Sequence, residues 1–488
     1  MINVLYAKDV FAAEAKTVAS GTDIESLVMR ASRALADRVA SVANNDKDKK
    51  IAVFCGLGGN GGDGVVSSVM LKEEGFEPVI YVVGVPSERH ARFVKKLDSA
   101  KSKGVCVRDV SLFSGADIIV DAIFGIGLKC GASGPAADVI AKINASNARV
   151  VSADIPSGLD ADTGEITGAC VVADDTVTFT CLKPGMLIGE GKRVCGSVTV
   201  HDVGVAVETD MHVYEHDDFA PYKRKANAHK GDSGRVFIIG GCGDMVGAPI
   251  LAGAAAHAAL LSGAGLVTVC MPSIHRVALS ARCTLAMMKF LPDTADGFIK
   301  FDKSALDEIV KKANAIDIGM GMGKCRDLPD IIEYLCNNFG GTLVIDADGI
   351  SAVKNRFGVL KNARCKVVLT PHVGEFVRLT GMPATPENAK TLASDTGAIV
   401  VLKSATTVIT DGKNIRFNIT GTPAMAKGGT GDVLGGCIAA LSCAFEPIDA
   451  ATIACYRNGL GAERAVSSYA QTMLTPHDML RFADYKEV

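Results

Sequence analysis

Ile51-Ala52-Val53-Phe54-Cys55-Gly56-Leu57-Gly58-Gly59-Asn60-Gly61-Gly62-Asp63-Gly64 decides how the first half of the chain folds. Five successive apolar residues with no polar alternation describe a strand buried on both faces, as in a parallel sheet covered by helices. The glycines that follow let the backbone turn tightly and bring its N–H groups close to an anion. The Val/Met-rich stretch beyond them predicts a helix whose positive end faces the same place.

Working outward, further β-type runs at 79–83, 105–107, 118–122, 150–153, 176–180 and 197–200 alternate with helical segments. That order predicts an α/β fold, a Rossmann-like doubly wound parallel sheet. Such sheets bind ligands at the carboxyl ends of their strands. The glycine turn stands there after the first run, Asp121 and Gly125-Ile126-Gly127 after the run 118–122, and Asp154-Ile155-Pro156-Ser157-Gly158-Leu159 after 150–153. Asn60, Asp63, Asp121, Asp154 and Ser157 are oxygen donors of the kind that hold hard cations or hydroxyl-bearing ligands. Each alone is more simply a turn cap; their shared position at strand ends argues for them as a set. Gly56-x-Gly58-x-x-Gly61 matches the dinucleotide fingerprint of an oxidoreductase, but the acidic residue expected about twenty positions on is missing after 79–84.

A second glycine turn, Lys427-Gly428-Gly429-Thr430-Gly431-Asp432-Val433-Leu434-Gly435-Gly436, feeds an apolar run through Cys443. It offers backbone N–H groups to phosphate and one carboxylate, Asp432, able to take a proton from an attacking hydroxyl. Upstream, the charged segment 222–231 is followed by a restart of the α/β pattern at Arg235-Val236-Phe237-Ile238-Ile239, with strands expected at 266–269, 316–319, 342–346, 367–370 and 399–403. A chain of 488 residues exceeds the roughly 250–300 that one core sustains. Two domains are therefore expected, 1–222 and 223–488, with no internal repeat. The uncharged stretch 248–271 approaches the roughly 20 residues of a membrane span. Pro249, Gly253, Gly263 and Gly265 interrupt it, and it predicts a buried helix followed by a buried strand.

Composition agrees with an intracellular enzyme: 48% hydrophobic, 22% charged and a net charge of −3 from 51 basic and 54 acidic residues, with no like-charge block. Neither nucleic acid nor a membrane is indicated as a partner. Fifteen cysteines without a Cys-x-x-Cys pair suggest reduced thiols in the cytoplasm. The opening Met1-Ile2-Asn3-Val4-Leu5 lacks the features of a secretory signal.

Seven motifs in order resemble a known family. The first half is similar to NAD(P)H-hydrate epimerases (the YjeF N-terminal domain), whose turn G-x-G-N-N-G-G-D-G and motifs D-x-x-F-G-x-G and D-x-P-S-G-L stand here at 56–64, 121–127 and 154–159. The second half is similar to ADP-dependent NAD(P)H-hydrate dehydratases of the ribokinase-like superfamily. It carries Gly319-Met320-Gly321-Met322-Gly323, Asp346-Ala347-Asp348, Pro371-His372-Val373-Gly374-Glu375-Phe376 and Gly429-Thr430-Gly431-Asp432. The resemblance implies a bifunctional nicotinamide-nucleotide repair enzyme acting on NADHX and NADPHX, the hydrated cofactors, with ADP as co-substrate, a potassium ion in the epimerase site and magnesium in the dehydratase. A homo-oligomer is expected.

Carried over by position, the resemblance makes Asn60, Asp121 and Ser157 potassium ligands. Gly59, Asn60, Gly61, Gly62, Asp63, Gly125, Ile126, Gly127, Leu128, Lys129, Cys130, Gly131 and Asp154 become substrate contacts, with Asp154 catalytic. In the second half Ala248, Gly321, His372 and Asp432 contact substrate, Asp432 being catalytic. Lys403, Ser404, Ala405, Thr406, Thr407 and Gly431 hold the nucleotide. Gly59 replaces the first Asn of the epimerase turn, Met320 the usual Pro and Ser404 the usual Gly. The alternative is a ribokinase-like small-molecule kinase with a non-catalytic nucleotide-binding N-terminal domain.

Overall fold

The run 51–55 forms strand β2 (Ile51–Cys55) in a computed structural model that describes every residue except 129, 220–228, 232, 244–246, 278–285, 469 and 484–488, with the backbone alone described at 248–250 and 252. Successive side chains on a strand point to opposite faces, and both faces of β2 are covered. Val53 and Cys55 pack with Leu35, Val39, Val65 and Leu71, while Ala52 and Phe54 pack with Tyr81, Ile119 and Ile140. This two-sided burial is why no polar residue interrupts the run.

The first compact unit spans Ile2–Thr209. After the short β1 (Ile2–Asn3) and β2 come β3 (Val79–Val82), β4 (Cys106–Arg108), β5 (Ile118–Ala122), β6 (Arg149–Ala153), β7 (Asp175–Phe179) and β8 (Ser197–His201). Their order in space is β4-β3-β2-β5-β6-β7-β8, with every neighbouring pair parallel. The chain thus builds outward in one direction from β2 and then in the other from β5, the doubly wound arrangement expected. The glycine turn after β2 and Asp121 in β5 flank this switch point, where ligands bind in such sheets. A Cβ on Gly56 would lie 1.9 Å from the Ile123 carbonyl oxygen, so the two loops approach this closely only because residue 56 is glycine.

The second unit begins at Asp210. The break falls ahead of the expected 222/223 because β9 (Met211–Val213) pairs with β18 (Ile415–Asn418) and so belongs to the second sheet. Most of the charged segment 222–231 lies outside the described residues. The strands β10 (Arg235–Ile239), β11 (Leu266–Pro272), β12 (Met287–Leu291), β13 (Ala315–Ile318), β14 (Thr342–Ile345), β15 (Lys366–Leu369), β16 (Ile399–Leu402) and β17 (Thr407–Thr410) complete it in the order β9-β18-β17-β16-β15-β14-β13-β10-β11-β12. Pairing is parallel except for β17, which is antiparallel to both β16 and β18. The uncharged stretch forms the helix Ala248–Leu261 followed by β11, and among the described residues no helix is long and apolar enough to cross a membrane. The helix Thr430–Leu441 packs tightly on the first of these. A Cβ on Gly436 would stand 2.1 Å from the Ala255 carbonyl oxygen. Four strands of this sheet, β9, β12, β17 and β18, were not expected from the sequence.

Candidate functional site

At the switch point of the first unit, Asp121 is fully buried at the carboxyl end of β5. Its Oδ1 accepts from Ser157 Oγ (2.5 Å) and the Ile123 amide (3.3 Å), and its Oδ2 from Ser152 Oγ (2.8 Å) and the Ser157 amide (2.9 Å). Burial raises its pKa, against the pull of those donors. Ser157 Oγ in turn accepts from the Phe124 amide (2.8 Å), and Asn60 Nδ2 donates to the Phe124 carbonyl (3.0 Å). Asn60, Asp121 and Ser157 are thereby tied to one loop, 123–125.

Asn60 Oδ1 is buried with no hydrogen-bond partner. Leaving such an acceptor unsatisfied costs about 1–3 kcal/mol, and a cation would satisfy it. The set of Asn60 Oδ1, Phe124 O and Ser157 Oγ is all oxygen, which fits a hard cation. Asp121, whose four acceptor positions each face a donor of the chain, brings negative charge behind Ser157.

Asp154 directly follows β6 with a left-handed φ of 63°. Its Oδ1 accepts from Lys183 Nζ (2.5 Å) and Thr178 Oγ1 (3.2 Å), while a Cβ on Gly125 would stand 3.5 Å from its Oδ2 and 3.4 Å from Asn60. Asp154 and Asn60 therefore both lie against Gly125. Asp63, on the helix Gly59–Glu73, is pushed up to about 8 by burial and then by the charges of Asp154, Glu14 and Glu25, with Lys96 opposing. Glu14, on the helix Ala7–Ala19, is raised by burial and by Asp154, with Lys183 opposing.

The remaining positions are less uniform. A Cβ on Gly59 would meet nothing within 4 Å, Gly62 lies against Lys96, and Gly127 lies near Phe11. Gly61 abuts the Gly56 carbonyl, Leu128 donates its amide to the Gly125 carbonyl (3.3 Å), and Ile126 packs against the cluster of Leu5, Val10 and Cys181. Gly131 packs against Thr167, Cys130 is exposed, and Lys129 lies outside the described residues.

In the second unit, Gly429 caps the helix Thr430–Leu441 from a left-handed φ of 92°. The amides of a helix's first turn lack intrahelical acceptors and sit at the positive end of its dipole. Asp432 lies in that turn and is 8% exposed. Just beyond β16, Lys403 donates to Asp346 Oδ1 (2.7 Å), just beyond β14. A Cβ on Gly431 would lie 3.1 Å from Lys403 Nζ and 3.4 Å from Asp346 Oδ2, so the helix start rests on this ion pair. Burial and then repulsion from Asp346 push Asp432 up to about 6, with Lys403 opposing. Burial works against the charge of Lys403, but Asp346 outweighs it and holds the lysine above its ordinary value.

Around this centre, His372 caps the helix Val373–Thr380. Its Nδ1 accepts from the amides of Gly374 (2.9 Å) and Glu375 (3.4 Å), and Glu375 Oε2 accepts from the His372 amide (2.9 Å). In the neutral ring that leaves the proton on Nε2 of a half-exposed side chain, so a capping histidine still presents a donor. Gly321 (φ 60°) lies in the turn after β13, where the Gly241 amide, beyond β10, donates to the Met320 carbonyl (3.0 Å). Residues 403–406 link β16 to β17. Ser404 Oγ donates to the Thr406 carbonyl (2.5 Å), Ala405 lies between them, Thr407 opens β17, and the hydroxyls of Thr406 and Thr430 are buried without partners. Ala248 opens its helix, its side chain lying outside the described residues. Lys427, which heads the glycine turn, instead gives its ammonium to the carbonyls of Thr472 and Leu474.

Three charged residues went unread in the sequence. Lys183 and Glu14 surround Asp154. The sequence signal for Lys183 was Leu182-Lys183-Pro184-Gly185, a basic residue between a strand and a proline-initiated helix. The third, Asp317 in β13, is fully buried with both carboxylate oxygens unpartnered. Burial, then Asp346 and Asp432, hold it well above the usual carboxylate range. It fits because residue 435 is glycine: a Cβ there would be 2.8 Å from Asp317 Oδ2. A single acid inside an apolar strand was its signal.

Residues 24–185 match the family described as YjeF-related protein N-terminus, and residues 236–482 match NAD(P)H-hydrate dehydratase. A bifunctional NAD(P)H-hydrate repair enzyme of Hyperthermus butylicus is 34% identical over 95% of this chain and 89% of that protein. One of Moorella thermoacetica is 34% identical over 90% and 87%. A solved ADP/ATP-dependent NAD(P)H-hydrate dehydratase of Bacillus subtilis, co-crystallised with ATP and Mg²⁺, is 28% identical, with a TM-score of 0.46 over 54% of this chain and 92% of that one.

Proposed function

The chain belongs to the family of bifunctional NAD(P)H-hydrate repair enzymes, and on that premise we propose that its first unit interconverts the R and S hydrates of NADH and NADPH while its second dehydrates the S hydrate at the expense of ADP, giving AMP and phosphate. The observation that carries the reading is Asp432, a carboxylate held near 6 beside the first-turn amides of a glycine-capped helix. A base is most effective when its pKa lies near the working pH.

In the second unit Asp432 takes the proton of the substrate hydroxyl as that oxygen attacks the terminal phosphorus of ADP. The bond to the bridging oxygen breaks and AMP leaves. The resulting phosphate ester then loses phosphate and a ring proton, and the carbon–carbon double bond of the dihydronicotinamide forms. The amides of Gly429, Thr430 and Gly431 face the charge on the phosphoryl group in transit. Lys403, Ser404, Ala405, Thr406, Thr407 and Gly431 hold the nucleotide, and Ala248, Gly321 and His372 the substrate. Magnesium, when bound to the nucleotide phosphates, would neutralise their charge.

In the first unit Asp154 serves as base, with the 59–63 turn and the 125–131 loop around the substrate. Potassium, held by Asn60, Ser157 and Asp121, would supply a fixed positive charge beside the substrate. We place both activities in the cytoplasm, in a homo-oligomer; no disulfide joins the described cysteines, which suits a reducing compartment.

The test of the donor is kcat/KM for ADP and ATP at fixed S hydrate, followed by absorbance of the restored dihydronicotinamide. ADP is expected to lead, because an additional phosphate displaces the transferring group and about 1 Å of misplacement can cost on the order of 10²-fold. AMP should bind without turnover. Parity or an ATP advantage would overturn the choice of donor and leave dehydration standing.

A further inference from the structure

Lys183 is buried, a rare state for a lysine unless it is paired. Its ammonium has three N–H groups, and each has an acceptor: Asp154 Oδ1 at 2.5 Å, Thr178 Oγ1 at 2.7 Å and the Phe179 carbonyl at 3.1 Å. None is left for a ligand. Thr178 Oγ1 also lies 3.2 Å from Asp154 Oδ1, so lysine, threonine and aspartate close a three-membered ring of polar contacts under the carboxyl ends of β6 and β7.

The backbone on both sides of this ring is bent in the same unusual way. Asp154 has φ 63° and is spanned by a bond from the Ile155 amide to the Ala153 carbonyl (2.8 Å). Thr180 has φ 67° and is spanned by one from the Cys181 amide to the Phe179 carbonyl (2.8 Å). One-residue turns at positive φ are strained for side chains larger than glycine, and such strain persists where the surroundings over-determine it. Two of them on adjacent strands, one carrying Asp154 and the other leading into Lys183, form a clamp that fixes Oδ1 and leaves Oδ2 toward Gly125 and Asn60.

We propose that Lys183 is a positioning residue of the epimerase site, acting through Asp154 by pinning its Oδ1 so that Oδ2 alone is presented to the ring hydroxyl of the hydrated cofactor. The inference rests on the first unit being an epimerase with Asp154 as its base. Pinning restricts the carboxylate to one orientation without touching substrate, so its loss is felt in turnover rather than in binding. Thr178 supports the same orientation from the neighbouring strand position.

The experiment measures R-hydrate conversion by the full-length chain for wild type, Asp154→Asn, Lys183→Met and Thr178→Val, with S-hydrate dehydration and the melting of the first unit recorded for each. Lys183→Met is expected to lower kcat on the order of 10²-fold with KM within about threefold, and Thr178→Val to lower it on the order of tenfold, again at unchanged KM. A folded Lys183→Met enzyme with kcat within about threefold of wild type, or one whose loss lies in KM, overturns the proposal. Should Lys183→Met melt below the assay temperature, Thr178→Val decides: reduced kcat at unchanged KM supports the clamp, and wild-type kcat contradicts it. A wild-type chain that fails to convert the R hydrate, or an Asp154→Asn variant that converts it normally, defeats the epimerase assignment itself, a result distinct from failure of the clamp.

Discussion

Asp154 and Asp432 occupy corresponding places in two unrelated sheets, each at the edge where strands end and glycine turns begin, but their lysines are deployed differently. In the first unit a fully buried ammonium bonds the carboxylate itself. In the second, Lys403 is committed to Asp346, and burial, then repulsion from that second carboxylate, raise Asp432 to about 6. What separates the two is the lysine's partner: bonded to the carboxylate itself it pins Asp154 in place, whereas bonded to Asp346 it leaves Asp432 poised to exchange protons. The pinned one suits a site where orientation sets the rate; the poised one suits a site where a hydroxyl must lose its proton before phosphoryl transfer.

The sharpest break of this comparison is Asp432→Asn. Dehydration of the S hydrate should fall by roughly 10²–10⁴-fold, with ADP binding measured by calorimetry within about threefold of wild type. A variant retaining more than about a tenth of the turnover would show that Asp432 is not the base. Next comes Asp154→Asn, which should abolish conversion of the R hydrate while S-hydrate dehydration proceeds at the wild-type rate. Joint loss with folding intact would mean the two sites are not independent.

Because Asp432 is raised from 3.8 to about 6 in the folded chain, the native state binds a proton more tightly than the unfolded state across that window. Stability is therefore lost as pH rises through it, and removing the carboxylate restores it. Asp432→Asn should melt higher than wild type near neutral pH and equally at about pH 4, while the wild-type dehydration rate climbs with an acid limb near 6. Asp317→Val probes the same repulsion from beneath: it should stabilise the second unit by about 1–3 kcal/mol, since both oxygens it removes are buried and unpartnered. Denaturant unfolding reads it, and destabilisation would show that Asp317 has a partner the geometry does not provide. The smallest effect is expected at Gly59→Asn, where an added Cβ meets nothing within 4 Å. Folding should be unchanged and epimerisation should rise no more than severalfold; a loss of folding would contradict the open pocket.

Much of this was legible because two-sided burial leaves a plain trace. The run 51–55 and its successors could be little else than central parallel strands, and the glycine turns mark where the chain must approach itself, as at Gly56 and Ile123. What escaped was of two kinds. The edge strand β12 includes a lysine among its apolar residues, β17 has only Val408 and Ile409 between two threonines, and β18 alternates Ile415 and Phe417 with Arg416 and Asn418, so none shows a long continuous apolar run. The buried charges Lys183 and Asp317 escaped because pairing and burial are settled by residues distant in sequence. The direct bond from Lys183 to Asp154 closes only when β6 and β7 lie side by side.

Whether one chain carries two separate carboxylate sites acting in series is read by supplying pure R hydrate with ADP, magnesium and potassium and following the restored dihydronicotinamide. The account predicts complete restoration by the wild type, none above the uncatalysed rate by Asp154→Asn until S hydrate is added, and none by Asp432→Asn from either hydrate. Restoration from the R hydrate by Asp154→Asn at the wild-type rate would contradict it.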